Sequence, residues 1–297
     1  MMFNKKFLTK DYYIRKLFPE YYYWSNAKRY YRSITGKRMN YLHPKNINEK
    51  LMWLTRYWRD PIKTKCADKF LVREYIKENG LSHILIPLIG VWNSANDINF
   101  DLLPQQFVLK CNHGSGYNII CLDKEKLDVE STINRLNEWM NEDYARFTFE
   151  IHYRAIPRRI VCEKLISQTA PVEYQFWCIN GKAESMLVCR KNHDGTYDAA
   201  SYSLNWERLF DRKYEDANLL FDKPKCLNEL IAIAEKLASP FPFVRADFYV
   251  VGDKIYFAEL TFSPAANILS AYKEDFLCRL GGGLRLPKKI IPYKIRK

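Results

Sequence analysis

Apolar and polar residues alternate along residues 243–262, "FVRADFYVVGDKIYFAELTF", with the period of two that a strand requires. The run predicts two strands joined by a turn at "GDK". Each strand carries one carboxylate, Asp247 and Glu259, and Arg245 stands two residues before the first. A three-residue turn, Gly252 to Lys254, pairs Val251 with Ile255. It then sets Asp247 opposite Glu259 and Arg245 opposite Thr261, all on one face. A turn of Gly252 and Asp253 alone slips the register by one and sends the acids to opposite faces. Like charges directly opposed destabilise a sheet, and a divalent cation between them reverses that sign. The plainer alternative is a solvated strand face whose acids pair with Arg245. The three-residue turn is the expectation.

The same reading extends along the chain. Leu51, Leu54 and Trp58 in "NINEKLMWLTRYW" have helical spacing, and Pro61 follows as a break. "ADKFLVREYIKENG" (67–80) predicts a helix with Asp68 as N-cap and Gly80 at the C-cap. "HILIPLIGVW" (83–92) reads as a strand, and "FVLKCNHGSGYNIICL" (107–122) as strand, glycine loop, strand. A helix is expected over 128–144, and a strand over 158–166. A hairpin is expected over 172–190, turning at Asn180-Gly181, and an amphipathic helix over 226–238. Hairpins mixed with helices argue for an α+β class and against a parallel βαβ array.

Charge changes this picture at the two ends. The net charge of +13 is made of +12 over residues 1–65, +7 over 279–297 and −6 between them. A basic stretch rich in rings, such as "YYYWSNAKRYYRSITGKR" (21–38), suits anionic lipid headgroups and, less well, nucleic acid. An ordinary basic helical surface explains it too. No apolar run approaches the ~18 residues of a spanning helix, and "MMFNKKFLTKDYYIRK" has no signal-peptide core. Eight cysteines without a Cys-x-x-Cys, most in apolar runs, suggest a reduced cytoplasmic protein without disulfides.

Candidate chemistry sits at strand ends. In "VLKCNHGSGYN", Lys110 ends a strand and Gly114, Ser115 and Gly116 follow, an arrangement that lets backbone N–H groups approach a phosphate. It is not a Walker motif, because no Gly-Lys-Ser/Thr opens a helix. His113 reads as a loop hydrogen-bond donor more readily than as a base. "VCEKLI" places Glu163 and Lys164 where a strand emerges into solvent or meets a ligand. Lys69, beside Asp68, opens a helix. Arg190, Lys191 and His193 in "CRKNHDG" are substrate candidates, or simply a charged hairpin end.

Taken in order, these motifs carry a resemblance. Asp-Lys at a helix start, strand-Lys with a glycine loop, "EKLI", Arg-x-Asp and Glu-x-Thr after a hairpin closely resemble the ATP-grasp superfamily over about residues 65–275. Within it the chain is similar to the teichuronopeptide-biosynthesis (TupA-like) group, upstream to "NEKLMWL" and downstream through "FAELTFSPAAN". The resemblance implies an ATP-grasp fold with a small lid subdomain and a C-terminal mixed sheet carrying the metal hairpin. Expected divisions are a basic helical region 1–60, an N-terminal part 61–105, a lid 106–166, a C-terminal subdomain 167–278 and a basic tail 279–297.

The resemblance also implies roles. Lys69 and Lys110 would contact ATP phosphates, with Gly114, Ser115 and Gly116 closing over them. Glu163, Lys164, Leu165 and Ile166 would hold adenine. Asp247 and Glu259 would hold Mg²⁺, and Arg245 would face the transferred phosphate. Thr261 stands where many members have an asparagine metal ligand; the TupA-like group shares the threonine, and Asn267 comes too late to replace it.

The implied activity is ATP-dependent ligation of a carboxylate to an amine or other nucleophile through an acyl phosphate, in surface polysaccharide or teichuronopeptide synthesis. Partners would be small-molecule or glycan carboxylates and amines, with peripheral contact to an anionic membrane and no nucleic acid. Two other readings stay open: a glycosyltransferase with a metal-bound sugar nucleotide, and a non-catalytic membrane- or nucleic-acid-binding protein.

Overall fold

The computed structural model describes Leu17, residues 19–192 and residues 195–291, with Phe147 as backbone only. His193, residues 1–16 and 18 of the basic N-terminal stretch and residues 292–297 of the tail lie outside them.

The smaller of two sheets has the order β1-β4-β2-β3, formed by β1 (Leu88–Trp92), β2 (Phe107–Cys111), β3 (Asn118–Cys121) and β4 (Ile160–Lys164). Strand alternation builds its core: Phe107, Leu109 and Cys111 point inward and are fully buried, with Ile160 and Cys162 from β4. Leu136 of a helix over Val129–Asn141 closes that core.

The larger sheet has the order β10-β9-β5-β6-β7-β8. Its strands are β5 (Val172–Ile179), β6 (Lys182–Lys191), β7 (Tyr197–Tyr202), β8 (Arg208–Leu209), β9 (Phe243–Val251) and β10 (Lys254–Thr261). Every pairing in it is antiparallel, so the expected mixed sheet is corrected. The reason is local: tight hairpins join β5 to β6 and β9 to β10, and hairpins pair antiparallel. Asn180 and Gly181 both take positive φ, 49° and 81°, as a type I′ turn demands.

Along β9, Val244, Ala246 and Phe248 are fully buried and belong to the same core as Leu230, Ala234 and Leu237 of the helix over Leu227–Ala238. Arg245, Asp247 and Tyr249 take the opposite face.

The register of this hairpin corrects the turn but keeps the pairing. Lys254 pairs with Val251, so the turn is the two residues Gly252 and Asp253. Only Gly252 takes positive φ, 62°, the pattern of a type II′ turn. That turn alone would split the acids. A bulge between Phe257 and Glu259 inserts Ala258 as an extra residue and restores the offset. Asp247 therefore lies opposite Glu259, and Arg245 opposite Thr261.

Among the described residues four α-helices lie N-terminal to the first strand: α1 (Pro19–Thr35), α2 (Ile47–Tyr57), α3 (Pro61–Ala67) and α4 (Val72–Glu78). Pro61, expected as a break, instead opens α3 at the position where its missing N–H costs nothing, behind the N-cap Asp60. The single helix expected over 67–80 is split. Asp68 has an extended backbone, and its Oδ1 accepts from the N–H groups of Phe70 (2.8 Å) and Leu71 (3.3 Å). Such local acceptance competes with the helix and delays α4 to Val72. Gly80 ends α4 with φ of 71°, as expected. The strand expected from residue 83 begins only at Leu88, after a 3-10 turn at Ser82–Ile84. No described helix is long and apolar enough to cross a membrane.

Candidate active site

The reactive face of β9 and β10 is a tightly bonded cluster. Asp247 is fully buried and grips Arg245 through two nitrogens: Nη2 to Oδ2 at 2.6 Å and Nε to Oδ1 at 2.8 Å. Thr261 Oγ1 lies 3.2 Å from Asp247 Oδ2 and 2.9 Å from Glu259 Oε1, bridging the two acids. Arg245 Nη2 is 3.8 Å from Glu259 Oε1. Burial pushes the Asp247 carboxyl upward, and the guanidinium of Arg245, which grips both its oxygens, pulls it back toward the ionised form. For Glu259 burial pulls upward too, but Lys69, Arg245, the Thr261 hydroxyl and Lys110 outweigh it and hold the carboxyl below its ordinary range.

From this cluster a line of charges crosses to the small sheet. Lys69 Nζ is 3.9 Å from Glu259 Oε2 and donates to the Gly114 carbonyl at 2.7 Å. Burial lowers its ammonium, which Glu259 partly restores. Lys110 Nζ pairs with Glu163 Oε2 at 2.7 Å, and Arg73 Nη1 holds the other oxygen at 3.0 Å. Asn112 ties the loop to the helix start, donating to Asp68 Oδ1 at 2.9 Å. Lys69, Lys110, Glu163, Arg245, Asp247, Glu259 and Thr261, spread over nearly two hundred residues of chain, are thus neighbours or neighbours of neighbours.

The glycine loop joins the same line. Gly116 has φ of 79°, a left-handed conformation that suits glycine. At Gly114 a Cβ would meet Tyr117 Cε2 at 2.8 Å and Tyr144 Cδ2 at 2.9 Å, so two rings close on that backbone. Ser115 is exposed between them. His113 is buried and its Nε2 lies 3.0 Å from the Trp139 carbonyl, where it donates. Burial lowers its pKa, which keeps the ring neutral and agrees with the loop-donor reading. Glu163 is buried, Lys164 exposed, and Leu165 and Ile166 half-buried; together they lead from the end of β4 toward β5.

Arg190 and Lys191 do not join the line. They are exposed at the end of β6, and Arg190 pairs with Asp198 at 3.2 Å. Three residues that do matter had no individual signal in the sequence. Arg73 anchors Glu163. Glu173 stands opposite Tyr249 on β5, on the face of Asp247, and burial raises its carboxyl while Arg245 opposes. Glu150 is buried behind the hairpin's exit, accepting from Ser263 Oγ at 2.5 Å. Glu173 would have emerged only by tracing which strand pairs with which, and Arg73 only by knowing which side of α4 meets β4.

The exit of β10 is strained. Ala265, Ala266 and Asn267 all take left-handed φ, 48°, 52° and 70°. Each non-glycine residue there costs about 1–2 kcal/mol. Buried Asn267 is locked by Thr55 Oγ1 at 3.0 Å. Ala266→Gly is expected to stabilise the fold by about 1 kcal/mol, once glycine's larger chain entropy is set against the relieved strain. A shift of the urea midpoint at unchanged slope measures it.

Behind this exit, buried Lys63 stands over the Phe262 ring at 5.9 Å. Burial lowers its ammonium to about 7, with Glu150 opposing, and burial raises Glu150 to about 7. A depressed lysine costs nothing above its ordinary pKa of 10.5, and its penalty is complete below about 7. Lys63→Met is therefore expected to raise Tm more at pH 6 than at pH 9. Equal shifts at both would show that Lys63 does not titrate across that range.

The donor set fits a hard cation in part. Asp247, Glu259 and Thr261 offer only oxygen, and a cation would offset the burial that now raises Asp247. No group of three or more His, Cys, Asp or Glu able to hold a metal occurs among the described residues. The hairpin could supply only part of a shell, which suits Mg²⁺, an ion that keeps waters and substrate phosphates as ligands.

A family model, the TupA-like ATPgrasp, matches residues 49–283. The chain belongs to the TupA-like ATP-grasp family. With that membership goes the class of enzyme, an ATP-grasp ligase, and the α+β architecture above is its fold. Solved structures give a fainter likeness. The D-alanine–D-alanine ligase of Bacillus anthracis is 18% identical with a TM-score of 0.45, over 81% of this chain and 69% of that one. The L-amino acid ligase of Bacillus licheniformis is 15% identical with a TM-score of 0.46, over 75% and 51%. The D-alanine–D-alanine ligase of Helicobacter pylori is 19% identical with a TM-score of 0.42, over 74% and 61%. No curated protein matches the chain significantly in sequence.

Proposed function

We propose that this ATP-grasp ligase joins a carboxylate to an amine, or to another nucleophile, through an acyl phosphate, in surface polysaccharide or teichuronopeptide synthesis. The observation that carries this is the line of charged side chains from Glu163 through the neighbouring cations Lys110 and Lys69 to the acids Glu259 and Asp247 and to Arg245. Two neighbouring lysines facing a pair of acids suit the phosphates of a nucleotide together with a cation. Lys69 and Lys110 bind these phosphates, and the loop at Gly114, Ser115 and Gly116 covers them. Glu163 to Ile166 hold the adenine, with Lys164 at the base. Asp247, Glu259 and Thr261 would hold Mg²⁺, which supplies charge neutralisation on the phosphates when bound.

The carboxylate oxygen of the substrate attacks the γ-phosphorus, and ADP leaves. The amine then attacks the acyl carbon, and phosphate leaves with the bond electrons. Both partners in the first step are anionic, so positioning and cationic stabilisation carry the rate, with Arg245 on the transferred group. The substrate side lies past Arg245. Its guanidinium is 5.9 Å from the centre of the Trp177 ring, which packs on Tyr272. The Tyr272 hydroxyl is buried without a partner among the described residues, within reach of the charges of Arg245 and Arg212. Two arginines beside an unpaired hydroxyl suit a carboxylate.

The family assignment replaces the glycosyltransferase and non-catalytic readings. The test is incubation with ATP, Mg²⁺, hydroxylamine and a panel of amino acids and uronic acids. Carboxylate-dependent release of ADP and phosphate, with a hydroxamate formed, supports the proposal. Release of AMP and pyrophosphate would contradict it.

A further inference from the structure

The described parts of the two basic ends, α1 with residues 37–59 and residues 285–290, are joined through one series of contacts, and we propose that the face they form holds the enzyme against an anionic lipid bilayer. α1 turns Tyr23, Trp24, Ala27 and Tyr31 inward, at positions one, four and eight residues from the first. Its outer stripe is Tyr21, Lys28, Arg29 and Arg32, all exposed. The helix's only acid, Glu20, is spent internally. It accepts from Arg59 at 2.9 Å and 3.0 Å and from Trp24 Nε1 at 2.7 Å. The outer face is left purely cationic.

Cation–ring contacts carry this face across to the C-terminal segment. Lys28 Nζ lies 5.5 Å from the Tyr41 ring centre, and Arg56 lies 4.7 Å from Tyr41 and 4.9 Å from Tyr57. Lys289 Nζ lies 4.3 Å from Tyr57 on the far side of that chain of contacts. The backbone fixes the arrangement: Ile290 N donates to the Tyr57 carbonyl, and Arg59 N donates to the Ile290 carbonyl, both at 2.7 Å. Arg38, Lys45, Arg285 and Lys288, in the same two stretches of chain, are exposed as well. Two of the nearby acids are engaged: Glu274 pairs with Lys37 at 3.0 Å, and Glu49 accepts from the Lys45 N–H at 2.7 Å.

Apolar side chains among these cations decide between partners. Leu42 is 86% exposed, Tyr21 68% and Ile34 41%. Isolated apolar groups in a cationic field suit the headgroup and acyl boundary of a membrane. Nucleic acid would call for a platform of several rings free to stack, and here Tyr41 is buried and Tyr57 half-buried, which leaves Tyr21 standing apart from them. The proposal stands apart from the ligase chemistry, because none of these residues lies in the charge line of the active site.

Sedimentation with vesicles tests it, using phosphatidylcholine alone and phosphatidylcholine mixed with phosphatidylglycerol. The full chain is expected to bind only the anionic vesicles and to be released by high salt. Lys28→Glu, Arg29→Glu and Arg32→Glu together should weaken binding by about a hundredfold or more. Tm and ATP turnover should stay at wild-type values. If that variant folds poorly, Lys288→Glu with Lys289→Glu at the other end of the face should still weaken binding severalfold. Leu42→Ser should weaken it while leaving the salt dependence. Equal binding to neutral vesicles, indifference to both charge reversals, or binding to an oligonucleotide in place of vesicles would overturn the proposal.

Discussion

Asparagine in place of Asp247 is expected to lower ATP-dependent turnover by about a thousandfold, the largest effect of any single substitution in the chain. Two losses combine. The side chain keeps its size but loses its charge, so the hairpin offers one carboxylate in place of two. The amide also turns N–H groups toward the Arg245 fork, which Asp247 now meets at 2.6 Å and 2.8 Å. Arg245 then loses its closest anion in a site where Asp247 is fully buried. Breaking such a pair costs about 3–5 kcal/mol, so the variant should also unfold at lower urea. Glu259→Gln shares the catalytic loss with less of the structural one, because Glu259 is a third exposed and 3.8 Å from Arg245. Turnover and urea midpoints of the two variants separate the roles. Wild-type turnover in Asp247→Asn would remove the hairpin from the reactive centre.

The second large effect is expected at Lys110. Lys110→Ala should weaken ATP binding by about a hundredfold, the worth of one or two charge-assisted hydrogen bonds. Stability should change little. Glu163 loses its partner at 2.7 Å but keeps Arg73 at 3.0 Å, so no buried carboxylate is stranded. That asymmetry makes Lys110 the cleaner probe of nucleotide binding. Lys69→Ala, by comparison, frees the Gly114 carbonyl and loosens the loop at the same time. Calorimetric titration with ATP and a thermal melt together read both halves of the Lys110 prediction. A large loss of Tm with unchanged ATP affinity would make Lys110 a structural residue.

Much of this was legible in the sequence, where the signal was local. The hairpins at 172–191 and 243–261 followed from alternation and turn residues. The opposition of Asp247 and Glu259 was reached by the wrong route. A two-residue turn plus a bulge at Ala258 gives the same offset as a three-residue turn, and "YFAEL" holds no glycine to announce a bulge. The split of the 67–80 helix was missed because Asp68 has two uses. One oxygen serves Phe70, Leu71 and Asn112, and the last of these is a partner 44 residues away. Arg73, Glu150 and Glu173 were passed over because each is an ordinary polar residue until the fold shows what it faces. The meeting of the basic ends was invisible for the same reason. It depends on one backbone bridge between Trp58 and Ile290.

On the proposed function, the charge line from Glu163 to Asp247 binds Mg²⁺ and ATP together. Calorimetric titration of ATP into the full chain, with and without Mg²⁺, tests it most directly when repeated on Asp247→Asn. Mg²⁺ is expected to strengthen binding at least tenfold in the wild type and to leave it nearly unchanged in the variant. ATP binding that ignores Mg²⁺ in both proteins, or no binding at all, would contradict the proposed function.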